Sequence, residues 1–94
     1  MSIYVDEIRY HANVGNLKSN DWCHMIADDI EELHAMATKI GLRRSWFQCK
    51  NNSTPHYDLT PGKRVLAIKN GAIEIDWRTF AKKTQEMRAK RQSV

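Results

Sequence analysis

Cysteine is scarce in this chain of 94 residues: Cys23 and Cys49 are the two, too few and too far apart to build a disulfide framework. No C-x-x-C pair is present, so the spacing that makes structural zinc sites specific is missing. A set of Cys23, His24, Cys49 and His56 can still be written down for zinc, against the plainer reading of two thiols packed as small hydrophobes. Long apolar runs are absent as well. Nothing at the N-terminus resembles a signal peptide and nothing is long enough to cross a bilayer, which leads to the expectation of a soluble, cytoplasmic protein with no membrane partner. The sequence also lacks HD, HExxH and HxH signatures, so no ready-made metalloenzyme motif is available. It contains no internal repeat and no low-complexity segment.

Fifteen Lys and Arg against eleven Asp and Glu give a formal charge of +4. That favours anionic partners without identifying a nucleic-acid binder. The excess is local: Lys82, Lys83, Arg88, Lys90 and Arg91 gather near the C-terminus, where Glu86 is the only acid. A chain of this size forms one domain and buries roughly 60–65% of its unfolded surface, so a deep private pocket is not expected. Residues 1–76 read as an α/β core, and 77–94 as a basic helix and tail packed on the same domain.

The apolar pattern supplies the elements. Ile3 to Val5 opens a strand ending at Asp6, a polar Asn/Gly-containing loop follows to Asn20, and Trp22 to Ala27 is a second strand. Asp29 with Glu32 three residues later has the form of a capping box, and Ile30, Leu33, Ala37 and Ile40 share one helical face up to a left-handed stop at Gly41. Ser45 to Cys49 reads as a strand. Thr60 and Pro61 start a short helix ending near Asn70 and Gly71. Ala72 to Ile75 alternates as a strand, and Asp76 caps a last helix from Trp77 to about Lys90, with Trp77, Phe80, Ala81, Thr84 and Met87 inward. Strands alternating with helices suggest right-handed crossovers. The expected fold is therefore a small α/β sandwich of three or four short, mostly parallel strands with three helices, with ligands at the carboxyl edge where Asp6, Asp28 and the His56 loop would meet.

Three of the four histidines and several acids concentrate in two stretches, Trp22 to His34 and Pro55 to Asp58. His11 lies apart in a polar loop and is expected to face solvent. With these residues laid out, the chain resembles domain-of-unknown-function family 4031, found in phages and bacteria. The resemblance rests on Tyr4, Val5 and Asp6; on Trp22 to Asp28; on Glu32 to Ala35; on Gly41 and Leu42; on Trp46 and Phe47; on His56, Tyr57 and Asp58; and on Arg64, Ala67, Gly71 and Ala72. It implies acids at Asp6, Asp28 and Asp58 and histidines at His24, His34 and His56, with the position of Cys23 often another small residue. It also implies a phage or prophage origin, hence the host cytoplasm, and it brings no activity with it.

Two functions suit these residues. In the first, a binding protein engages nucleic acid, a nucleotide or an acidic host protein through a His/Asp-rich rim and the basic C-terminal helix, with Arg64, Lys82, Lys83, Arg88, Lys90 and Arg91 as anion contacts. In the second, a metal-dependent phosphoesterase or nuclease holds Zn, Mn or Mg on Asp6, His24, Asp28, His56 and Asp58, with His34, His56 and Asp58 as candidate catalytic groups. Each residue has a plainer role. His34 beside the apolar stripe can be a packed histidine with one hydrogen bond, and His56 and Asp58, alternate residues of an extended segment, can bond each other. Trp22, Trp46 and Trp77 are ordinarily core anchors, although an exposed one beside Arg43 and Arg44 favours nucleic acid. The sequence leaves the oligomeric state open.

Overall fold

A computed structural model describes residues 2–8, 22–49 and 54–92, with the side chains of 91 and 92 outside that set. His11 and most of the polar loop before Trp22 lie outside the described residues. Strands β1 (Ile3–Val5), β2 (Cys23–Ala27), β3 (Tyr57–Leu59) and β4 (Ile73–Glu74) form one sheet in the order β3-β2-β1-β4. Helices α1 (Ile30–Lys39), α2 (Pro61–Lys69) and α3 (Trp77–Gln92) accompany it.

The expectation of mostly parallel strands is corrected: β2 runs antiparallel to both β1 and β3, and among the described residues only β1 with β4 is a parallel pair. The registers imply that β1, β3 and β4 all point the same way, as helical crossovers require. The reversed strand β2 sits between β1 and β3 and turns two of the three pairings antiparallel. The Asn/Gly stretch after β1 has no helical period in its sequence, and antiparallel neighbours need no helical crossover. A second return path follows α1, where the expected strand at Ser45–Cys49 is instead a 3-10 turn at Arg44–Trp46 followed by a single bridge from Gln48 to His56.

Helix ends follow local chemistry closely. α1 starts after Asp29, although that carboxylate makes no capping bond, so the expected capping box does not form. α1 then stops at Gly41, whose φ of +84° is the left-handed geometry that favours glycine. A side chain there would also meet Lys63 Nζ at 3.0 Å, and that ammonium donates to the Ile40 carbonyl at 2.7 Å, where the negative end of the helix welcomes a cation. The Thr60 hydroxyl accepts from the Lys63 amide with Pro61 at the first helical position. Asp76 accepts from the Thr79 amide at 2.7 Å, a bond that holds its carboxyl below the usual range.

Strand alternation gives the sheet two different faces. Val5, Cys23, Met25, Tyr57 and Leu59 point to α1 and α2 and join Leu33, Met36 and Ala67 in one buried cluster. Ile30, expected in that core, is 45% exposed, and Met36 takes the buried place. The other face carries Tyr4, His24, Ile26, His56 and Asp58 beneath α3. Phe80 stacks on the His24 ring at 5.1 Å, and Thr54 donates to the Thr84 carbonyl. The inward residues of α3 are thus Phe80, Lys83, Thr84 and Met87, while Trp77 and Ala81 are exposed.

Candidate metal centre

The antiparallel register of β2 and β3 sets His24 directly opposite Asp58. His56, two residues before Asp58, points to the same face because side chains alternate along an extended chain. One atom from each of the three groups lies within 4.8 Å of the others. His56 Nε2 stands 3.5 Å from Asp58 Oδ1, and His24 Nε2 stands 4.0 Å from the same oxygen.

What surrounds the three side chains fixes how they point. His24 Nδ1 lies 3.0 Å from Asp6 Oδ2, while the His24 amide donates to Asp6 Oδ1 at 2.6 Å. Asp6 itself is 1% exposed, its backbone carbonyl accepting from Arg64 Nε. His56 Nδ1 faces the Thr54 carbonyl at 2.8 Å, and a carbonyl oxygen only accepts, so this nitrogen carries the hydrogen. With Nδ1–H committed on both rings, a neutral imidazole presents its Nε2 lone pair inward. Asp58 Oδ2 accepts from Gln48 Nε2 at 2.6 Å, whereas Asp58 Oδ1 is buried with no hydrogen-bond donor among the described residues. Three acceptor atoms therefore lie within 4.8 Å of one another, an arrangement that a proton on either Nε2 or a metal ion would satisfy.

Trp22 meets the His24 ring edge-on at 4.6 Å and Phe80 stacks on it, so aromatic walls hold the imidazole as well as hydrogen bonds. The cluster borders a cleft of about 200 Å³ lined by His24, Ile26, Thr54, His56, Phe80, Thr84 and Arg88.

The remaining candidates are placed elsewhere. Asp28 follows β2 at the opposite end of the sheet from Asp6, roughly 13 Å along the strand from His24, where it accepts from the Ser2 amide and the Tyr4 hydroxyl. The strand reversal explains this, because carboxyl ends of antiparallel neighbours lie at opposite edges. Arg64 is engaged by the Asp6 carbonyl and by Glu74 at 3.2 Å. The Lys83 ammonium sits 4.1 Å from the Tyr4 ring centre. Lys82 is exposed, Lys90 lies toward Asp28 in another cleft, and the side chain of Arg91 is outside the described residues. Cys23 faces the core while its neighbour His24 faces α3, so the two cannot share an ion. Burial, then the Asp6 carboxylate, pushes the Cys23 thiol up to about 12, the opposite of what a thiolate ligand needs.

His34 lies on the core face of the sheet, bonded through Nδ1 to the Tyr57 hydroxyl at 2.8 Å and packed edge-on against Phe47. Desolvation, then Arg44, holds its imidazole below the ordinary value of 6.5. The unfolded chain therefore takes up protons first as pH falls, and the contribution of His34 to stability is complete above about pH 6.5 and lost as pH drops through the lower folded value. Urea midpoints measured from pH 8 down to pH 5 should show this loss in the wild type and a shallower one in His34→Gln. Parallel curves would remove His34 as the cause.

Sequence reasoning missed Gln48, Thr54, Trp22 and Phe80 as the framework of the site. Gln48 acts through an isolated bridge to His56 and a side-chain bond to Asp58, and Thr54 through its carbonyl on His56 Nδ1, contacts that no periodicity announces. Phe80 has the helical spacing of a core residue, which gives no hint that its partner is a histidine.

Chain residues 3–87 match the family model described as protein of unknown function (DUF4031), and the chain belongs to that family. No curated protein and no solved structure matches it. Among the described residues no helix is long and apolar enough to cross a membrane.

Proposed function

We propose that this DUF4031 domain holds one divalent metal ion on His24, His56 and Asp58 and uses it to hydrolyse a phosphate ester. The observation that carries the reading is Asp58 Oδ1, buried without a donor among the described residues and facing two imidazole nitrogens whose partner nitrogens are already committed. Asp6, the Thr54 carbonyl and Gln48 play the orienting part that outer partners play at metal sites. Two nitrogens and one carboxylate oxygen rank zinc above manganese and magnesium. The 3.5 and 4.0 Å separations are also close to the roughly 3.4 Å between neighbouring ligands of a tetrahedral zinc ion. Three protein ligands are the pattern of catalytic zinc, in which a bound water loses its proton near pH 7. Such an ion, held by His24, His56 and Asp58, would supply a hydroxide nucleophile toward phosphorus, with the ester P–O bond breaking and the departing oxygen taking its proton from solvent. Arg88 on the cleft wall supplies positive charge for the phosphate.

A second reading, favoured by the exposed cations Lys82 and Arg88 on α3, has the same centre grip a phosphate-bearing partner without turnover. Titration calorimetry with zinc, manganese and magnesium on protein lacking a histidine tag, followed by release of nitrophenolate from bis(p-nitrophenyl) phosphate, separates the two. One equivalent of zinc and chelator-sensitive release are expected. Zinc uptake without release selects the binding module, and no uptake of any of the three ions removes both.

A further inference from the structure

Trp46 is 49% exposed, although its indole is the largest apolar group a chain can bury. It is not a loose end. The 3-10 turn at Arg44–Trp46 holds it through amide bonds from Trp46 to the Arg43 carbonyl and from Phe47 to the Arg44 carbonyl. The Arg43 guanidinium lies over the ring, 5.8 Å from its centre. With Ser45, Gln48 and Asp58 the indole lines a cleft of about 390 Å³, at the small end of the roughly 300–1,000 Å³ typical of small-molecule sites.

Asp58 joins this cleft to the metal centre. Its Oδ1 faces His24 and His56, while Oδ2 accepts from Gln48, which lines the cleft with Trp46. Asp58 is thus shared by the indole cleft and the proposed metal centre. A flat aromatic surface suits a π-face; Ser45 and the Gln48 carboxamide oxygen can meet polar edges; Arg43 and Arg44 attract negative charge.

We infer that the substrate is an unpaired nucleobase bearing a phosphate, its base stacked on Trp46 and its phosphate directed toward the ion at Asp58. The assignment rests on the proposed metal centre for where the phosphate goes, but the stacking half can be measured without it. A paired base cannot offer its face to the indole, so duplexes are excluded, and any base is accepted because each has a π-face.

The test compares affinities of a short oligothymidylate, the same length of abasic strand, thymidine monophosphate and a duplex, using fluorescence anisotropy for strands and calorimetry for the nucleotide. Wild type should prefer base-bearing ligands. Trp46→Leu should lose about 5- to 150-fold on them, the range seen when one base loses its aromatic platform, and less than about twofold on the abasic strand. Trp46→Phe should recover part of the loss. The ratio of strand to nucleotide affinity tells whether the base arrives free or in a chain, either being this chemistry. Equal affinity for abasic and base-bearing strands, tighter duplex binding, or an undiminished base preference in Trp46→Leu overturns the inference. Zinc stoichiometry measured on the same variants is a separate readout, so a failed metal centre and a failed stacking site give different results.

Discussion

His56→Ala should bind zinc more than 100-fold more weakly than the wild type, lose metal-dependent ester cleavage, and still unfold cooperatively at nearly the same urea concentration. His56 is half-buried on the α3 face, outside the apolar cluster, so its removal strips a proposed ligand and little of the apolar packing. Asp6→Asn should fall short of that loss, at about 10- to 100-fold, the usual effect of altering a group that orients a ligand. The amide can still accept one hydrogen from His24 but not both, and the ring loses the contact that sets its Nε2 toward Asp58. The order of the two variants carries the information. Calorimetric zinc titrations in which His56→Ala matches the wild type would remove the centre, and an unaffected Asp6→Asn would remove the orienting role of the carboxylate.

Tyr57→Ala should be the most costly of the core truncations, at about 3–5 kcal/mol. Tyr57 is 1% exposed and heads the fully buried side chains by volume. Its loss empties the space between β3 and Phe47 and leaves His34 Nδ1 without the hydroxyl. A domain of this size has roughly 5–15 kcal/mol to lose, and each kcal/mol lowers Tm by about 4–8 °C. Tyr57→Phe keeps the ring and should cost only about 1 kcal/mol, the net value of one hydrogen bond. Urea denaturation of both variants checks the pair. Similar costs would mean that the hydroxyl, not the ring volume, holds this part of the core.

Helices were far more legible in the sequence than the sheet. Thr60–Pro61, Asp76, Gly41 and Gly71 mark ends by rules that act within a few residues, and the structure keeps all four. Strand direction is decided by partners distant in the chain, and the reversed β2 could not be inferred from alternation of element types. The candidate site divides along the same line. Residue chemistry marks His24, His56 and Asp58, which are neighbours in space, and marks Asp28 and His34 equally, which lie at the far edge and on the other face of the sheet. Asp6 stands behind His24 with both oxygens engaged, a placement that only the pairing of β1 with β2 determines.

One five-residue strand serves both halves of the molecule: Cys23 and Met25 look into the apolar cluster while His24 and Ile26 look toward α3. Stability and chemistry are thus written in alternate letters of the same short word. Inserting or deleting a single residue before His24 would exchange the two sets, turning an imidazole into the oily layer and a methionine toward Asp58. Such a frame error could not be repaired on one side alone, so this strand should tolerate substitution far better than any change of length.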